Sequence, residues 1–134
     1  MKMKKLILTL MMLGFLSSGV LAAEVYGKWA TQNKEAEIDI VKCGNAICGL
    51  IAKETVTGSV DRENKDPKLR GRPMLGMQLF KLKNTSNPKK WEGDLYNPRD
   101  GKTYTGVVNM LNDNEIKLEG CVLIFCQGEV WSRI

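Results

Sequence analysis

The chain has 134 residues, of which 43% are hydrophobic, 26% charged and 7% aromatic, enough for one compact domain and too few for a two-domain enzyme. Its formal charge of +5 overstates the basicity of the body, because Lys2, Lys4 and Lys5 sit in an acid-free leader and the rest holds 17 basic against 15 acidic residues, which leaves a nucleic-acid role without a basis. Histidine is absent, which excludes Ser-His-Asp and Cys-His catalysis, histidine metal sites and histidine proton switches.

Residues 1–23 run from a basic start through an apolar stretch, Leu6 to Leu16, to Ser17-Ser18-Gly19 and then Val20-Leu21-Ala22-Ala23. That order describes a secretory signal peptide cut after Ala22 or Ala23. The apolar stretch is shorter than the roughly 20 residues a membrane span needs, and no cysteine follows the cleavage region to carry a lipid. The mature chain, 24–134, is therefore expected as one soluble domain, periplasmic or secreted and not membrane-spanning.

Within it, hydrophobic periodicity is near two. Ala36, Ile38 and Ile40 alternate with Glu37 and Asp39, and Tyr104, Gly106, Val108 and Met110 alternate with polar neighbours, the signature of half-buried strands. Similar segments lie near 26–31, 47–53, 76–83, 91–96, 115–121 and 127–133, so about eight strands are predicted. No stretch joins a cap to ten residues of helical period, and any helix must be short. In Asn97-Pro98-Arg99-Asp100-Gly101, proline presets φ and Asp-Gly accepts positive φ, predicting a hairpin between 91–96 and 102–110. Asn112-Asp113-Asn114 predicts the next. Eight short antiparallel strands avoid exposed sheet edges most economically by closing into a barrel, which at this size holds packed side chains or one small ligand.

Four cysteines in an exported chain read as two disulfides. Three pairings are open, but Cys43 to Cys48 and Cys121 to Cys126 share one spacing, and Gly44-Asn45 is turn chemistry, which favours local staples across hairpins. Neither pair has the two-residue spacing of a redox motif.

From Thr55 to Pro73 the alternation stops in a long polar loop dense in charge. Loops of this length are often lids or binding loops, although a solvated, mobile connection is the commoner fate of a charge-rich run. Asp61, Glu63, Asn64 and Asp66 do not follow EF-hand spacing; instead Asp61 and Asn64 can pin the loop through its backbone, freeing Arg70 and Arg72 to meet an anionic head group at a barrel mouth. Trp91 either lines a cavity or packs. Tyr96 and Tyr104, flanking the proline turn, can bring hydroxyls to a ligand. Val122-Leu123-Ile124-Phe125, between two cysteines, puts four large apolar residues at a hairpin tip; capping one barrel end is the favoured reading, and a greasy lip or protein-contact patch the other.

Gly27-Lys28-Trp29, Cys43-Gly44 with Cys48-Gly49, Asp61 with Asn64, Gly76, Trp91-Glu92-Gly93, Tyr96-Asn97-Pro98, Gly101-Lys102-Thr103-Tyr104, Gly120-Cys121, Cys126 and Trp131-Ser132-Arg133 together resemble the bacterial domain of unknown function 2147. The resemblance spans the mature chain and implies an exported, lipocalin-like antiparallel barrel. Lipocalins open with Gly-x-Trp, matched by Gly27 and Trp29, and hold a late arginine against that tryptophan, matched by Arg133. This set would plug the barrel base through cation-π contact and carbonyl bonds. The lipocalin Thr-Asp-Tyr motif is absent, and no terminal helix follows.

No pair of carboxylates is spaced for acid-base work, and phosphate-cradling glycine loops are missing. The sequence thus predicts an all-β, single-domain, lipocalin-like binding protein without catalytic residues, cofactor or metal, enclosing a small hydrophobic or amphipathic ligand. The alternative is a protein-binding barrel with a filled interior, acting as an inhibitor or cell-envelope partner.

Overall fold

The structure, a computed structural model, describes residues 24–134; the expected signal peptide lies outside them. Eight strands follow in chain order: β1 Gly27–Ala30, β2 Ala36–Cys43, β3 Ala46–Glu54, β4 Gln78–Asn84, β5 Lys90–Asn97, β6 Lys102–Asn112, β7 Glu115–Val122 and β8 Phe125–Arg133. Each pairs antiparallel with its sequence neighbours, and β8 returns to β1 through Trp29 opposite Arg133 and Ala30 opposite Ser132, closing the barrel. Closure removes both sheet edges. All eight predicted strands are present, and the only helical element among the described residues is a 3-10 turn at Pro67–Leu69.

The period-two pattern sets which side chains turn inward. Ile38 and Ile40 on β2, Phe80 and Leu82 on β4, Val108 on β6, Ile116 on β7 and Trp131 on β8 are all buried in one core. Phe80 and Trp131 stand on strands four places apart in an eight-membered ring, so they meet across the axis.

Up-and-down connectivity sorts the connections to the two ends. The β1–β2, β3–β4, β5–β6 and β7–β8 connections gather at one end; the β2–β3, β4–β5 and β6–β7 turns and the segment before β1 gather at the other. The disulfides Cys43–Cys48 and Cys121–Cys126 both form. Each staples one hairpin, the first at the N-terminal end of the barrel and the second at the end bearing the long loop.

Candidate functional site: one plugged end and one open mouth

The plugged end is built from sequence positions far apart. Trp29 is fully buried and donates its indole N–H to the Val25 carbonyl at 2.9 Å. The Arg133 guanidinium lies 4.3 Å from the Trp29 ring centroid. It donates to the carbonyls of Asp113 at 2.7 Å, Tyr26 at 2.9 Å and Glu24 at 2.5 Å, so one planar fork ties the chain start, the β6–β7 turn and the end of β8 together. Gly27 has φ of 122°, and a Cβ there would stand 3.2 Å from an Arg133 nitrogen. A side chain at this position would be strained and would crowd the guanidinium.

The opposite end opens into a cavity of about 840 Å³, within the 300–1,000 Å³ range of small-molecule sites. Trp131, Leu79, Leu95, Leu118 and Met74 contribute apolar wall. Trp131 packs in turn on the buried Phe80, their ring centroids 6.3 Å apart. The charged part of the lining is mostly acidic. Glu54, Glu63 and Glu129 join Asp100 and Glu35, against Arg62 and Arg99. Within the lining, Glu35 pairs with Arg99 at 3.2 Å, and Asp100 accepts from the Tyr104 hydroxyl. That bond holds the Asp100 carboxyl below its ordinary value and pushes the Tyr104 phenol above its own.

The long loop forms one wall of the mouth and is a bonded structure, not the solvated connection favoured by its composition. Val60 and Pro73 form a bridge, the Asp61 N–H donates to the Arg72 carbonyl at 2.9 Å, and the Met74 N–H donates to the Ser59 carbonyl at 2.9 Å. Asp61, fully buried, is the hub. Its carboxylate accepts from Asn64 Nδ2 at 2.8 Å, Arg72 Nε at 2.8 Å and the Tyr96 hydroxyl at 2.6 Å. Burial acts to raise the Asp61 carboxyl, but the bonds from Tyr96, Asn64 and Arg72 and the arginine's charge outweigh it, leaving the group below its ordinary value. Burial, and then the bond to Asp61, push the Tyr96 phenol up.

This placement redistributes the sequence candidates. Asp61 and Asn64 do pin the loop, chiefly through side chains, while Asn64 Oδ1 also accepts the Asp66 N–H at 2.8 Å. Arg72 is held by Asp61 and stacks 5.4 Å from the Tyr96 ring centroid, and Arg70 Nε donates to the Asn64 carbonyl at 2.9 Å. Neither arginine is left reaching into the cavity for an anionic head group, because the loop's own acceptors are closer. Tyr96 and Tyr104 line the mouth; Trp91 does not. It sits at the plugged end beside a smaller cavity of about 370 Å³. Gly27, Trp29 and Arg133 form the plug.

The apolar tetrad is a second correction. Val122, Leu123, Ile124 and Phe125 are 55%, 90%, 88% and 74% exposed, so they do not cap the barrel. The last ladder pairs, Cys121 with Cys126 and Val122 with Phe125, leave only a two-residue turn, too short to fold back over the mouth. Val122 and Phe125 form part of the rim. Glu129 was missed in the sequence, although it stands in phase with Trp131 on β8 and accepts its indole N–H at 2.5 Å.

An eight-stranded closed barrel with a tryptophan–arginine plug at one end and a cavity at the other has the architecture of the lipocalin-like barrels. The chain belongs to the family described as uncharacterized protein conserved in bacteria, DUF2147, whose profile matches residues 27–133. Among solved structures it is similar to a protein from the human pathogen Helicobacter pylori described as belonging to the lipocalin family. The two are 22% identical, with 84% of each chain covered and a TM-score of 0.72, a likeness of fold. No curated protein matches the sequence.

Proposed function

We propose that the barrel is a binding protein that encloses a small hydrophobic or amphipathic molecule in its mouth cavity and carries out no chemistry on it. The observation that carries this reading is the cavity itself, about 840 Å³ of space opening at one end and walled by Trp131, leucine and methionine. Apolar area removed from water supplies the binding energy, and the few polar groups at the rim set orientation. Because Glu54, Glu63 and Glu129 outnumber the free cations of the lining, the polar end of the guest is neutral or cationic. The two disulfides support export to an oxidising compartment, periplasmic or extracellular.

Native mass spectrometry of the purified, disulfide-bonded protein tests the reading. A small molecule that stays bound under gentle ionisation and is released on activation is the expected result. Bare protein from every preparation, with no uptake of added neutral or cationic amphiphiles, would count against enclosure and favour a barrel that acts through its surface.

A further inference from the structure

The exposed hairpin tip is not used by the cavity: Leu123 and Ile124 lie beyond the rim formed by Val122 and Phe125. Two features hold these side chains out. The Cys121–Cys126 disulfide clamps the base of the tip. Leu123 has φ of 56°, a left-handed backbone that glycine or asparagine adopts more readily, so a large aliphatic group stands there against local preference. A third feature concerns the medium the tip can enter. The cross-strand pairs Cys121 with Cys126 and Val122 with Phe125 satisfy backbone groups within the hairpin, so the tip can leave water without stranding a row of N–H and C=O groups.

Charge separates the two ends. With the Arg72–Asp61 and Arg99–Glu35 pairs set aside, the connections at the mouth end leave Lys34, Arg62, Lys65, Lys68 and Arg70 against Glu63, Asp66 and Asp100. The turns and the segment before β1 at the plugged end carry Lys89 against Glu24 and Asp113. The connections at the mouth end thus combine a protruding uncharged apolar tip with an excess of two exposed basic side chains, while the strand residues Glu54 and Glu129 line the cavity.

The geometry points to a lipid surface bearing anionic head groups as the partner of this tip. Leu123, Ile124 and Phe125 enter the boundary between head groups and acyl chains, the basic side chains meet phosphates, and the cavity mouth faces the bilayer. Four residues on a narrow hairpin suit a deformable medium better than a second protein surface, which at standard size engages about 20–30 residues a side. Docking does not depend on whether the cavity holds a guest.

Flotation of the purified, disulfide-bonded protein with vesicles of phosphatidylethanolamine and phosphatidylglycerol tests it, beside vesicles of phosphatidylcholine alone. The protein is expected to float with the anionic vesicles, less with phosphatidylcholine, and less as salt is raised. Leu123→Asn combined with Ile124→Ser should lower the bound fraction about ten-fold or more, from the apolar area withdrawn. Its thermal midpoint should not fall, since asparagine suits the backbone at 123. A cavity-filling Gly120→Leu variant should float like the parent chain, which separates docking from enclosure. Failure of the parent chain to bind anionic vesicles would overturn the inference, as would equal flotation of the double variant. So would a dimer in lipid-free solution that the double variant dissociates, which would assign the tip to a second copy.

Discussion

Phe80 on β4 and Trp131 on β8 meet across the barrel axis, their ring centroids 6.3 Å apart and their planes inclined by 36°. This contact joins opposite walls of one core. Trp131 also lines the mouth cavity, whereas Phe80 is buried behind it. Phe80→Ala should therefore destabilise the fold by about 3–5 kcal/mol, the usual cost of emptying a buried aromatic site. Denaturant midpoints measure that loss directly. A crystal structure of the variant should show the mouth cavity extended toward β4.

The Asp61 hub makes the long loop sensitive to pH. Its carboxyl titrates below the ordinary value in the folded protein. The stability it contributes is thus complete above the ordinary carboxylate value, about 3.9, and is lost as pH falls through the lower folded value. Tyr96→Phe removes one donor, so the folded value should rise and acid unfolding should begin at higher pH. At neutral pH the variant should lose about 1.5–3 kcal/mol, the range for a hydrogen bond to a charged group. Denaturant curves from pH 2 to 7, compared between the two proteins, give both the shift and its sign. The Tyr96 phenol is raised, so its contribution is intact below about pH 10 and fades as pH climbs through the folded value.

At the plugged end, Arg133→Lys keeps the charge but loses the planar fork that reaches three carbonyls. An ammonium cannot span those acceptors and stack on the indole together. We expect a loss of about 2–3 kcal/mol, read as a lower urea midpoint. Hydrogen exchange should rise first at β1 and the end of β8, where the closing seam has only two paired positions.

The β5–β6 turn packs directly under the loop. Gly101 has φ of 70°, and a Cβ there would lie 1.9 Å from the Glu63 carbonyl oxygen and 3.4 Å from Asn64 Cα. Gly101→Ala must therefore push the turn and the loop apart. Its expected cost exceeds the about 1 kcal/mol of an ordinary glycine substitution, and limited proteolysis should cut the variant faster within 55–73 than the parent chain.

Much of the fold was legible because it is local. The alternation through Ala36, Ile38 and Ile40, and again from Tyr104 to Met110, located β2 and β6, and Asp100-Gly101 located the turn before β6. The loop was illegible for the opposite reason. Its order depends on Asp61 meeting Tyr96, 35 residues later, and no pattern within 55–73 announces that meeting. The fate of Arg70 and Arg72 was hidden for another reason: their partners Asn64 and Asp61 lie only 6 and 11 residues away, but a charge-rich run carries no sign of which bonds close within it. The tetrad misled because hydropathy favours burial, whereas the disulfide and the two-residue turn leave those side chains nowhere to fold. Glu129 was within reach of the sequence, since the phase fixed by Trp131 and Arg133 on β8 also turns residue 129 inward.

Titration with the neutral, polarity-sensitive dye Nile red, on the parent chain and on Gly120→Leu, tests the enclosure account most directly. A Cβ at Gly120 would meet Leu95 Cδ2 at 3.4 Å and Tyr104 side-chain atoms at 3.6 and 3.8 Å, ordinary contacts, so the added side chain takes up cavity space without displacing the backbone. The account requires saturable, one-to-one binding by the parent chain and its loss in a variant that remains folded. Equal binding by both proteins, or none by the parent chain, would contradict it.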